Sequence, residues 1–228
     1  MPRLNLPAIR DASQSVQAAY EAINEQLDAE LPPLLDEVID NLIAGYALVD
    51  RLIGEGANLM APGYSRGVLE LNNTVLYGPG EARNASHLRD SLAASEHYFY
   101  NKTHSGIGDL IEFFAESRFD NEWHEAAAVY VRMMATPQLF IEGNHRTGAL
   151  LMSYLLVRRG RPPFVLTPEN AVSYFRLSAD SGQIKRRSVR MLLRRGGLQR
   201  RLAALLALGC DDRFLAGGES GERSRAKR

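Results

Sequence analysis

"QLFIEGNHRTGALLMSYLL", Gln138 to Leu156, decides how the rest of the chain is read. Its second half is apolar on nearly every side, and a helix of that kind belongs at the centre of a domain. Its first half, Glu142-Gly143-Asn144-His145-Arg146, is a glycine-containing turn that opens the helix. The first amides of a helix have no intrahelical partner, and the helix dipole adds partial positive charge there. Such a turn is an anion cradle if its polar residues face a ligand, and a plain connection if they face water. In the first case Gly143 permits close backbone approach, Asn144 ties the loop to itself, and Arg146 brings a guanidinium suited to phosphate. Glu142 would repel a phosphate unless Mg²⁺ stood between them. Phe140 anchors the loop in the core.

Helical patterns flank this stretch. Residues 121–135 form a helix that Pro137 helps to end, and 107–116 form a shorter amphipathic one. The apolar helix runs over 146–159 until Pro162-Pro163, and another opens at Thr167-Pro168-Glu169, a cap, a proline and an early acid. Near the N-terminus, 13–31 and 34–52 carry helical periodicity, separated by Pro32-Pro33, with Ser13 or Ser15 capping the first. Residues 86–98 also suit a helix. "VLELNNTVLYG", 68–78, has β-formers on both sides of Asn72-Asn73, which predicts a hairpin with a tight turn at the asparagines. Two basic helical segments, 184–195 and 198–208, are divided by Gly196-Gly197, and a polar tail ends the chain. The expected fold is mainly α with one β-hairpin, organised as an N-terminal helical extension (1–64), a core (65–182) and a basic C-terminal region (183–228).

The stretch 138–149 resembles the signature of Fic/Doc (Fido-fold) proteins, which reads His-x-Phe-x-(Asp/Glu)-Gly-Asn-Gly-Arg-x-x-Arg. Phe140, Glu142, Gly143, Asn144 and Arg146 match it in place. An alanine-rich helix before it, a buried helix after it and a hairpin upstream are similar to the family's arrangement, over roughly 65–180. The resemblance implies a Fic/Doc-like helical domain. It implies Mg²⁺ at Glu142 and nucleotide phosphates, ATP in most members, held by Gly143, Asn144, His145 and Arg146. It also implies a flap, Thr74, Val75, Leu76 and Tyr77, that clamps an extended protein target, as strand addition would. The family's histidine deprotonates a target hydroxyl that attacks ATP, and AMP transfer (AMPylation) is the usual outcome.

Three positions depart from the signature. His145 stands at the second glycine and Ala149 at the second arginine, both similar to the Doc branch, which is associated with phosphate transfer. Gln138 stands at the histidine and matches neither branch. A neutral amide accepts no proton near pH 7, and loss of a general base commonly costs about 10²–10⁴-fold. His145 has a suitable pKa range for a substitute base, but it lies seven residues away from the expected position. His104 and His124 read as ordinary surface or packing histidines, and His87 and His97 lack any constellation. The expectation is therefore a degenerate member that binds a nucleotide or phosphate anion with little or no transferase activity. The alternatives are an active adenylyltransferase or Doc-like phosphotransferase, and a helical adaptor that binds a partner or nucleic acid through its basic C-terminal part.

Composition bounds these readings. With 228 residues and 45% hydrophobic content the chain can bury a real core. One cysteine, Cys210, allows no internal disulfide and favours a reducing compartment, the cytoplasm. No apolar run reaches the roughly 18 residues of a membrane span, and the N-terminus lacks a long apolar signal-peptide region. Net charge is zero, yet residues 158–228 hold 17 Lys+Arg and 6 Asp+Glu, a surplus of +11 that the remainder balances with −11. The basic segments carry no interleaved aromatics for base stacking, which favours docking on the acidic part over nucleic-acid or membrane binding.

Overall fold

The computed structural model of the chain describes residues 3–80, 86–102, 105–186 and 189–217, and of 189–193 only the backbone. Among the described residues ten α-helices follow in order: α1 (Leu6–Ala18), α2 (Tyr20–Asn24), α3 (Asp36–Gly54), α4 (Ser65–Tyr77), α5 (Arg89–Asn101), α6 (Ile107–Glu116), α7 (Glu122–Met134), α8 (Asn144–Arg158), α9 (Pro168–Gly182) and α10 (Val189–Leu208). The mainly helical expectation holds, and no strand occurs among the described residues.

The hairpin at 68–78 is overturned: those residues belong to α4 and Gly78, its C-cap. Val68, Leu71, Asn72 and Val75 are fully buried. Their spacing of three and four residues is a helical face, which outweighs the β-propensity of the individual side chains. Asn72-Asn73 lies in mid-helix and makes no turn. The first helix also starts earlier than its periodicity predicts. Asn5 caps α1 by accepting from the Ala8 amide at 3.3 Å, while Ser13 and Ser15 bond back to the carbonyls of Ile9 and Asp11. Gly196-Gly197 does not divide the basic segment. Glycine costs about 1 kcal/mol in a helix interior, and the burial of Leu198, Leu202 and Leu206 along one face of α10 offsets it. The polar tail from residue 218 and His104 lie outside the described residues.

Helix α8 is central, as its composition implies. It packs against α7, α3 and α4, and α7 packs in turn against α10 and α9. Gly148 permits the α7–α8 approach, because a Cβ there would lie 2.6 Å from the Tyr130 ring. Side chains from Leu4 to Phe214 share this core, including Tyr46 of α3, Leu151 of α8 and Leu202 of α10. Part of the C-terminal charge surplus docks on α7 and α6: Arg159 pairs with Glu125 at 2.6 Å, Arg161 with Glu122 at 2.5 Å, and Arg186 with Asp109. Arg194, Arg200 and Arg201 remain exposed. No helix among the described residues is long and apolar enough to cross a membrane.

Candidate functional site

The turn that opens α8 is built around one left-handed residue. Gly143 has φ 74° and ψ 8° and stands immediately before the helix. That conformation costs L-residues with a Cβ energy, so glycine suits it. Space demands it as well, since a Cβ would lie 2.8 Å from Nδ2 of Asn72 and 3.2 Å from Leu76. The first backbone bond of the helix runs from the Thr147 amide to the Gly143 carbonyl at 2.9 Å. The amides of Asn144, His145 and Arg146 precede it and have no carbonyl one turn earlier to meet.

Asn144 organises the loop from within. Its Oδ1 accepts from the Phe140 amide at 2.9 Å, and its Nδ2 donates to the Phe140 carbonyl at 2.9 Å and to Oε1 of Gln138 at 3.1 Å. Gln138 is thus a half-buried member of the loop's own network. Its carbonyl also accepts from the Tyr98 hydroxyl at 3.3 Å, and Nζ of Lys102 contacts that same hydroxyl. Phe140 is buried and stacks on Phe99 with ring centres 5.1 Å apart, which anchors the loop as the sequence implies.

Asn72, read from the sequence as a turn residue, is a second fastener. Its Nδ2 donates to the Glu142 carbonyl at 2.9 Å and to Oγ1 of Thr147 at 3.0 Å, joining α4 to both sides of the turn. Its Oδ1 is buried without a partner. The signal that could have found it is an asparagine on the apolar face of a helix, where a buried amide needs bonds to be tolerated.

Arg146 is half-buried and donates from Nη1 to the Val75 carbonyl in the last turn of α4 at 2.6 Å. Nε and Nη2 are the groups an anion would meet. Burial pulls its pKa down, and the nearby Glu142 carboxylate partly restores it. The residues expected to form a flap do lie beside the turn, but as helix. Val75 receives Arg146, Leu76 closes over Gly143, Thr74 is buried and bonds back to the Glu70 carbonyl at 2.8 Å, and Tyr77 is half-buried at the helix end. In a helix the amides of these four residues bond one turn back and the backbone is not extended, so they offer no strand edge to a target peptide.

His145 points toward α9. Its Nδ1 is 2.5 Å from Oγ of Ser178, which also contacts the Tyr130 hydroxyl. Tyr130 in turn bonds to the Tyr174 hydroxyl at 3.1 Å, and Tyr174 donates to the His145 carbonyl at 3.1 Å. A carbonyl only accepts, so the ring has one consistent direction: Nδ1–H of His145 to Ser178, Ser178 to Tyr130, Tyr130 to Tyr174, Tyr174 to the carbonyl. The direction leaves Nε2 as the acceptor of a neutral ring. Although the residue keeps a solvent-exposed face, desolvation of the packed ring lowers its pKa, with Arg146 adding to the effect. Burial also pushes the Tyr130 hydroxyl up to about 12, so it stays protonated within the ring.

Glu142 is exposed at the tip of the turn. Among the described residues no group of three His, Cys, Asp or Glu side chains could hold a metal ion. A Mg²⁺ here would rest on Glu142 alone together with the phosphate oxygens it accompanies, a donor set that suits this ion. Neither the models of known protein families nor the curated proteins contain a match to the chain.

Proposed function

We propose that the turn Glu142–Arg146 binds the phosphate of a nucleotide, or a phosphate anion, as a degenerate Fic/Doc-like site with little or no transferase activity. The observation that carries this reading is left-handed Gly143 opening the central helix, with the amides of residues 144–146 ahead of the first intrahelical bond. Arg146 adds a guanidinium, and Glu142 would share Mg²⁺ with the phosphates. The amide of Gln138 is bonded to Asn144 and supplies no base. Titration calorimetry with ATP and ADP, each with and without Mg²⁺, tests the binding. Heat that depends on Arg146 and Gly143 supports it, and no heat at millimolar nucleotide sinks it.

A second reading, an active adenylyl- or phosphotransferase, has one observation in its favour. The ring through Ser178, Tyr130 and Tyr174 orients His145 with Nε2 as a proton acceptor. Incubation of the protein and cell lysate with α- and γ-labelled ATP separates the two. Label that disappears with His145→Asn favours transfer; a blank result with intact ATP binding favours the binding protein.

A further inference from the structure

The start of α6 gathers polar groups that the α8 site does not use. Asp109, in the first turn of α6, accepts from Nε and Nη2 of Arg132 at 3.0 and 2.6 Å and from Nη1 of Arg186. The Arg186 side chain is only 4% exposed. Its Nε donates to the Ala135 carbonyl at 3.2 Å, while Nη2 is buried with no partner. Nη1 and Nη2 share one planar guanidinium, so the orphan nitrogen belongs to the group that Asp109 ties to this first turn. Ser105 stands just before Gly106, the N-cap of α6, and its hydroxyl is also buried with no partner. The first bond of the helix runs from the Leu110 amide to the Gly106 carbonyl at 3.4 Å, so the amides of Ile107, Gly108 and Asp109 precede it.

The charges point the same way. Lys102 lies within electrostatic reach of Arg186, and Arg195 of Arg132. The guanidinium carbons of Arg132 and Arg195 sit 5.3 and 5.7 Å from the centre of the Phe113 ring. Among the described residues, Asp109 is the one carboxylate paired with any of these four cations. Burial first, and Arg132 second, bring Arg186 down to about 10. Buried polar atoms are nearly always hydrogen-bonded, and two orphans at one helix start call for a partner. Nη2 of Arg186 can only donate and the Ser105 hydroxyl can donate, both beside a positive cluster and a positive helix end, so the fitting partner is an oxyanion.

We propose that the start of α6 is a second anion site, distinct from the α8 turn, which takes a free phosphate-sized oxyanion between the Ser105 hydroxyl, the first amides of α6 and Nη2 of Arg186. The orphan atoms are closed to solvent, while Gly108 is exposed and a Cβ on it would meet nothing within 4 Å. With the orphan atoms buried, a free ion suits the site better than a phosphate carried on a larger molecule.

The test is calorimetry and thermal unfolding of the full chain with inorganic phosphate as the probe, against chloride at matched ionic strength. Wild type gains Tm with phosphate, and Arg146→Ala, which removes the share of the α8 turn, keeps part of the gain; the α6 variants are made in that background. Ser105→Ala binds phosphate roughly tenfold more weakly, the loss of one buried hydrogen bond to a charged group, and Arg186→Met abolishes the response. Arg186→Met also unpairs Asp109 in part, so Ser105→Asp guards against misfolding. It carries a carboxylate to the orphan donors, raises Tm in phosphate-free buffer and removes the phosphate response. The proposal is overturned if Arg146→Ala shows no phosphate response, if adding Ser105→Ala to it leaves that response unchanged, or if adding Ser105→Asp lowers Tm. Nucleotide binding at α8 is measured separately, so failure here leaves that reading standing.

Discussion

Nδ2 of Asn144 donates to Oε1 of Gln138 across 3.1 Å, so the glutamine fastens the loop from inside. Asn144 is buried and also holds both backbone groups of Phe140, which makes it the more important partner. Gln138→Ala should cost about 1 kcal/mol, one hydrogen bond, and Asn144→Ala about 2–4 kcal/mol, because it leaves the buried Phe140 amide unsatisfied. Urea unfolding of both variants checks the order. An equal loss would mean the latch works otherwise.

Gly143→Ala should destabilise the fold by about 1–2 kcal/mol from the left-handed backbone alone. The new Cβ would add pressure on Asn72, whose Nδ2 would lie 2.8 Å away. Anion binding at α8 should fall with it, while the phosphate response at α6 persists. Calorimetry on the folded variant separates these effects, and unchanged ATP binding would argue against the α8 cradle.

Acid should weaken the fold through His145. Burial and Arg146 hold its pKa below the ordinary histidine value, so the unfolded chain takes up the proton first. Stability contributed by the neutral ring is present above about pH 6.5 and is lost as pH falls through that value toward the lower folded one. His145→Gln should flatten this part of the pH–stability curve below about pH 6.5. Parallel curves for the two proteins would contradict it.

Asp109→Ala strands two arginines, one of them almost fully buried. Removing one partner of a buried pair typically costs about 3–5 kcal/mol. Added phosphate should recover part of the lost Tm, since it supplies negative charge to the same guanidinium groups. A variant as stable as wild type would show that the cluster carries no net charge stress.

Local sequence determined the parts of this protein whose pattern is periodic or whose chain geometry is special. The buried α8, the short α6 and the N-cap of α9 were legible because apolar spacing and capping residues act over a few positions. Gly143 and Asn144 were legible for the same reason, since the turn is satisfied largely by its own residues. Tertiary structure decided what depends on distant partners. Asn72 reads as a turn in isolation. It becomes a buried helix residue only because Glu142 and Thr147 accept its protons from across the sequence. Packing of Leu198, Leu202 and Leu206 carries α10 through two glycines that locally favour a break. The orphan donors of Ser105 and Arg186 come from segments 81 residues apart, and no local pattern announces that folding sets both at the start of one helix. Burial and charge are sums over neighbours, and those neighbours exist only once the helices have packed.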